Sequence, residues 1–391
     1  MKKIIIVNND MRVGGVQKSL YNLLWSLDIE KRYDITLYLF RKTGAYAERL
    51  PESVKVIECE GLFRYCGMSQ KECKGNFKNT LLRSFLALIA LLFGRKAAVR
   101  LMLIGQPKLS ESYDYAISFL HNGRRNSIYG CVQDFVLNCV KSPKKIAFLH
   151  CDYRNCGSDH EDNNQLIEKF DKIAACSDGC RKAFESVLPD LKNKCTTVCN
   201  CHNFDEIRNF AEDNTYTYAS EYINIILVAR LSREKGIERA LNAVSEAVNK
   251  GFRVKLHIIG DGSLYNELND LSRDLNLTDN VVFYGRQDNP YRYMKNADLL
   301  LLTSYHEAAP MVIDEARFLG VPVLTTETTS SKDMVTDKGC GWVCGNAQEE
   351  INKALLDILT DKKYLAELKE KLNDIIVSND MAIEQFNSLL E

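Results

Sequence analysis

Glu307 and Glu315 stand eight positions apart in the segment from Ser304 to Thr326, SYHEAAPMVIDEARFLGVPVLTT. Between them Ala308, Ala309 and Pro310 make a short loop, and Val312, Ile313, Ala316 and Leu319 then recur at helical spacing until Gly320. Upstream, the apolar run Ala297 to Thr303 reads as a buried parallel strand; downstream, Val321 to Thr325 reads as the next one. A strand, a tight loop and a helix in that order place the first carboxylate at the carboxyl end of a strand, where open α/β sheets bind ligands. Pro310 suits a first helical turn because it has no amide hydrogen to lose. The other amides of that turn, from Ala309, Met311 and Val312, are donors for an anion or for hydroxyl groups. A second pair of charges has similar placing: Arg230 ends the apolar strand Ile225 to Ala229, and Lys235 precedes Gly236 at the next helix start. Arg binds phosphate bidentately and Lys adds a compact charge.

The elements that must position these groups alternate as βα units. Ile4 to Asn8, Ile35 to Phe40, Val54 to Ile57, Tyr115 to Leu120, Lys145 to Leu149 and Lys172 to Ala175 are strand candidates in the first half. A second series starts at Ile223 and includes Lys255 to Ile259, Val281 to Tyr284, Leu299 to Thr303 and Val321 to Thr325. The expected class is α/β with parallel sheets. Residues 212–221, EDNTYTYASE, are polar and lack periodicity, which predicts a linker. The expected domains are 1–211, 222–375 and a final helix over 376–391.

The motifs occur in an order that resembles the retaining glycosyltransferases of family 4. Residues 12–20 (RVGGVQKSL) are similar to that family's early glycine loop, 226–237 (ILVARLSREKGI) to its strand followed by Arg and Lys-Gly, and 307–315 to its Glu-x7-Glu signature. Residues 258–262 (IIGDG) and 280–285 (NVVFYG) fall at matching places. The resemblance implies the GT-B architecture, two Rossmann-like domains facing across a cleft, with the last helix crossing back to the first domain. It implies a nucleoside-diphosphate sugar as donor, a UDP-sugar by expectation, no required metal or cofactor, and retention at the anomeric carbon. Arg230 and Lys235 would hold the diphosphate, Glu307 the transferred sugar and Glu315 the ribose hydroxyls. Gly14 and Gly15 would lie near the donor phosphate or the acceptor, and Arg286 near the base. His150, at the end of the strand in KKIAFLHCDY, would lie beside the sugar; a core His bonded to backbone is the plainer reading. Asp152, His121 and Asn122 are candidates for the acceptor side. Ala308 and Ala309 stand where the family has Gly and often an aromatic residue, a departure that bears on sugar choice.

Net charge is −1, which argues against bulk binding of nucleic acid. The chain has 14 cysteines, which over this length and scatter read as reduced thiols of a cytoplasmic protein. Cys195, Cys199, Cys201 and His202 lack the paired spacing of a zinc site. Between 64 and 104 the alternation stops. Ser84 to Gly94, SFLALIALLFG, holds no charge, and its flanks carry Arg64, Lys71, Lys74, Lys78, Arg83, Arg95, Lys96 and Arg100. That run is too short to span a bilayer. It reads either as a core helix with a solvated basic rim or as a helix lying on an anionic membrane. With a lipid-linked oligosaccharide acceptor, which the resemblance implies, the expected location is the inner face of the plasma membrane. The expected reaction is hexosyl transfer in cell-surface polysaccharide synthesis. Sugar-nucleotide epimerisation or hydrolysis on the same fold, and an inactive partner of another transferase, are the rival readings.

Overall fold

Isoleucine and valine in uninterrupted runs make strands that are covered on both faces, and both sheets of this protein have such strands at their centre. A computed structural model describes residues 1–68, 72–73, 75–212 and 216–391. Lys71, Lys74 and positions 213–215 of the expected linker lie outside the described residues. The chain divides into two compact units, Met1–His202 with Asn379–Glu391, and Asn203–Ser378.

The first unit holds β1 (Lys2–Asn8), β2 (Tyr33–Leu39), β3 (Lys55–Glu58), β4 (Tyr115–Ser118), β5 (Lys144–Leu149), β6 (Lys172–Ala175) and β7 (Cys195–Thr197). They form one sheet in the order β3-β2-β1-β4-β5-β6-β7, and each recorded pair is parallel. Central β1 buries Ile4, Ile5, Ile6 and Val7 completely, whereas edge strand β3 is half exposed. The second unit holds β8 (Ile223–Val228), β9 (Val254–Ile259), β10 (Val281–Gly285), β11 (Leu299–Leu302), β12 (Val323–Thr326) and β13 (Gly341–Cys344). Its order is β10-β9-β8-β11-β12-β13, again parallel. Each sheet reverses its winding once, between β1 and β4 and between β8 and β11. Those reversals open crevices at the carboxyl ends of the strands. Two parallel-sheet Rossmann-like units are thus the α/β class that the alternation predicts.

The division falls at His202–Asn203, ahead of the polar stretch that suggested a linker. The helix Phe204–Ala211 belongs to the second unit because Phe204, Ile207 and Phe210 pack with Tyr291 and Phe318. The described part of the expected linker is also anchored. The Tyr216 ring lies 4.6 Å from that of Tyr293, and the Tyr218 ring 4.1 Å from that of His257. Alternating tyrosines in TYTY bury their rings while keeping their hydroxyls bonded, so polar composition misread them. The last helix, Asp380–Leu389, belongs to the first unit: Phe386 is fully buried there, and Tyr33 Oη donates to Asn387 Oδ1 at 2.6 Å.

Candidate functional site

Arg230 and Lys235 sit on the loop that follows β8, and Glu307 on the loop that follows β11. These strands are neighbours, with Leu299 beside Ile225 and Leu300 beside Ile226. The two loops therefore meet at the reversal point of the second sheet. Lys235 Nζ donates to Glu307 Oε1 at 2.6 Å, and Ser304 Oγ donates to the same oxygen at 2.7 Å. The carboxylate is only 11% exposed, so the pair is little screened by solvent. Two loops 72 positions apart in sequence thus deliver one charge-assisted bond.

Local geometry makes this approach possible. Gly236 ends the short turn Arg233–Lys235 in the left-handed region, at φ +55°, and a Cβ there would stand 2.3 Å from the carbonyl oxygen of Thr303. Thr303 Oγ1 donates to the Gly236 carbonyl at 2.7 Å, and the Tyr305 amide donates to the Glu234 carbonyl at 2.9 Å. The β11 loop is held from its other side as well, where Thr326 Oγ1 donates to the Ser304 carbonyl at 2.6 Å and Ser330 Oγ to that of Ala308. Arg230, by contrast, is exposed, and its guanidinium makes no hydrogen bond or salt bridge with any described residue. An exposed cation with its donors unspent thus follows the same strand, β8, as the lysine of a fixed ion pair.

Pro310 caps the helix Met311–Phe318, so the amides of Met311 and Val312 have no carbonyl to bond within the helix. Glu315, on the same helix, is 3% exposed. Ala309 packs on the core at the loop end. Arg286 is exposed just past β10, the edge strand two places from β8, about 10 Å across the sheet.

In the first unit, Gly14 and Gly15 open the helix Gly15–Glu30 just past β1. Gly14 is extended, and a Cβ there would meet only the flexible end of Gln17; at Gly15 it would meet nothing within 4 Å. Packing within the protein therefore does not account for either glycine. His121 and His150 follow β4 and β5, which run side by side. His150 lies against Phe119, with ring centres 4.6 Å apart, and its Nε2 is buried without a hydrogen-bond partner. It is therefore not the backbone-bonded core His of the plainer reading. Burial, with a smaller contribution from His121, pushes His150 down to about 3. Burial alone pushes His121 down to about 4. Both rings are neutral near pH 7 and offer a donor and an acceptor without bringing charge.

The remaining two candidates have structural duties. Asn122 is fully buried, and its amide donates to Asp134 Oδ2 at 3.0 Å and to Asn163 Oδ1 at 3.2 Å. Its side chain thus lies in the interior and is out of an acceptor's reach. Asp152 accepts from the Arg154 amide at 3.1 Å, pairs with the Arg154 guanidinium at 3.1 Å and accepts from Asn155 Nδ2 at 2.9 Å. It shapes its own loop. Arg95, expected as a surface charge, is also interior: it is 3% exposed and lies 3.7 Å from Asp134.

The family of glycosyl transferases group 1 matches residues 211–374. Over that segment the chain is similar to group 1 glycosyl transferases. The uncharacterized glycosyltransferase MJ1059 of Methanocaldococcus jannaschii is 31% identical over 154 residues, 38% of this chain and 37% of its own. The N-acetyl-alpha-D-glucosaminyl L-malate synthase of Bacillus anthracis is 27% identical over 257 residues, 63% of this chain and 64% of its own. The chain thus spans roughly one third to two thirds of the length of these relatives. The crystal structure of Anabaena Alr3699/HepE in complex with UDP and glucose superposes with a TM-score of 0.69 at 16% identity, over 100% of this chain and 98% of that one. That likeness shows a GT-B-type fold, two parallel-sheet Rossmann-like units. The segment matched by the family contains Arg230, Lys235, Glu307 and Glu315.

Proposed function

We propose that the protein transfers a hexose-type sugar, with retention, from a UDP-sugar to a hydroxyl of a lipid-linked glycan in cell-surface polysaccharide synthesis. The observation that carries this reading is the Lys235–Glu307 pair at the reversal point of the second sheet, with Arg230 unspent on the same loop as Lys235. Breaking a sugar–phosphate bond develops negative charge on the departing diphosphate. Arg230, Lys235 and the amides of Met311 and Val312 are donors of the kind that stabilise it without a metal. Glu307 then holds the sugar hydroxyls and Glu315 the ribose diol. The acceptor oxygen bonds to the anomeric carbon on the face that the phosphate leaves, and the acceptor's proton passes to a phosphate oxygen. No strong protein base is needed, and the neutral His150 serves as a hydrogen-bonding guide. The neighbour that binds UDP and glucose supports the choice of donor. The test is binding of a panel of nucleoside diphosphates, with and without magnesium. Binding of UDP without the metal, lost in a folded Arg230→Ala variant, is the expected result. No binding of any diphosphate overturns the reading.

Membrane attachment is part of the proposal. No described helix is long and apolar enough to cross a membrane. The helix Phe77–Phe93 buries only Leu86 and Ala90. Phe77, Leu81, Phe85, Leu88 and Leu92 are all exposed, Leu92 by 63%, and their spacing puts them on one helical face. Lys78, Lys96 and Arg100 are exposed around it. An apolar stripe with basic flanks suits an anionic bilayer surface. Burying one Leu side chain contributes about 1.5–3 kcal/mol. The double change Leu88→Glu with Leu92→Glu is therefore expected to lower co-sedimentation affinity for phosphatidylglycerol vesicles about a hundredfold or more. Equal sedimentation of variant and parent would count against the stripe.

A further inference from the structure

A second cluster of reactive side chains lies at the carboxyl ends of β4 and β5. One ring nitrogen of His121 and the sulfurs of Cys151 and Cys156 all lie within 4.8 Å of one another. Among the described residues this is the one place where three metal-type side chains converge so closely. We propose that His121, Cys151 and Cys156 bind a single thiophilic divalent cation, zinc by the nature of the ligands.

Four observations support the assignment. The ligand set is Cys2His, which suits zinc and leaves one position for water or another donor. Cys151 and Cys156 are separated by four residues, within the usual spacing of paired zinc cysteines. Ligand atoms around a tetrahedral zinc stand about 3.7 Å apart, so closing the group takes small side-chain rotations. Lastly, His121 Nδ1 is buried and has no hydrogen-bond partner, an arrangement that costs free energy unless a ligand completes it. A disulfide between the two cysteines would leave that nitrogen as it is, whereas a cation engages all three groups.

The surroundings hold the ligands in place. Parallel β4 and β5, with Ser118 paired to Ala147, bring the His121 end of one strand alongside the His150–Cys151 end of the other. Asp152 turns the chain back: its carbonyl accepts from the Asn155 amide at 3.1 Å and from the Cys156 amide at 3.0 Å. Its carboxylate fixes Arg154 and Asn155, as described above. Gly130, at φ +90°, lies close under the His121 segment, where a Cβ would stand 3.0 Å from the His121 carbonyl oxygen. Cys156 Sγ donates to Ser158 Oγ at 2.9 Å, and Ser158 Oγ in turn to the Asn122 carbonyl. The cation would tie the ends of two strands to the loop 151–158 and so fix the setting of His150, one position from Cys151.

The test uses the full chain, reduced, treated with chelator and then titrated with cobalt(II). The expected result is a sulfur-to-cobalt charge-transfer band with tetrahedral ligand-field bands, saturating at one equivalent and displaced by zinc. Cys156→Ser should abolish the charge-transfer signal or weaken it at least tenfold. Cys344→Ser, in the other unit, should leave it unchanged. A parent chain without the band, or equal bands in Cys156→Ser and parent, would overturn the proposal. So would a parent chain whose two thiols are released by reductant and not by chelator, since that marks a disulfide.

Discussion

Lys235→Ala is expected to lower sugar transfer by about 10²–10³-fold, the usual cost of removing one fixed donor from a developing oxyanion. The side chain sits in a loop outside both cores, so the variant should fold. What it loses is the 2.6 Å bond to Glu307 and the positive charge at the reversal point of the second sheet. Glu307 would then keep only Ser304 Oγ as a bonded partner among the contacts described above. The carboxylate would face the incoming diphosphate without its counter-charge, which disfavours both binding and bond cleavage. The rate at saturating donor should therefore fall along with apparent affinity. Lys235→Arg, which keeps the charge in a different shape, should restore part of the rate. Steady-state rates with a UDP-sugar and acceptor decide the matter, and parent-like turnover in folded Lys235→Ala would remove this residue from the chemistry.

Arg95→Ala is expected to destabilise the first unit by about 3–5 kcal/mol, the range for removing one partner of a buried ion pair. Arg95 is among the few buried arginines; its Nη2 donates to Asn163 Oδ1 at 3.2 Å and its Nε faces Asp134. Asn163 passes the network on to Tyr153 Oη at 2.9 Å and the Ser158 carbonyl at 3.0 Å. With Arg95 gone, Asp134 remains interior with a single amide from Asn122 as its described hydrogen-bond donor. Its neighbour Lys96 pairs with Asp162 at 3.2 Å at the surface, and Lys96→Ala should cost under about 1 kcal/mol. Urea unfolding of the two variants separates them, and equal midpoints would show that the Arg95 network contributes little. Charge reversal at Arg95 is accordingly unsuited to probing membrane binding, since it would test folding first.

The sequence by itself determined the fold class and the order of the site loops. Short apolar runs such as Ile4–Val7 and Leu299–Leu302 read as strands covered on both faces, and their alternation with helices points to parallel sheets. The Glu307–Glu315 spacing and the Arg230–Lys235 element were legible because each is local, lying within a single βα turn. Tertiary structure alone decided what crosses between elements. It brought Lys235 to Glu307, since pairing between β8 and β11 is a long-range choice that spacing does not encode. It placed Arg95 and Asn122 inside, where hydrogen-bond partners more than ten positions away offset their burial. It fixed Tyr216 and Tyr218 to the second unit through ring packing that polar composition conceals. It also gathered His121, Cys151 and Cys156. The cysteine spacing was visible in the chain, but the histidine that joins the group follows the neighbouring strand, and only the pairing of β4 with β5 brings it within 4.8 Å of the two sulfurs.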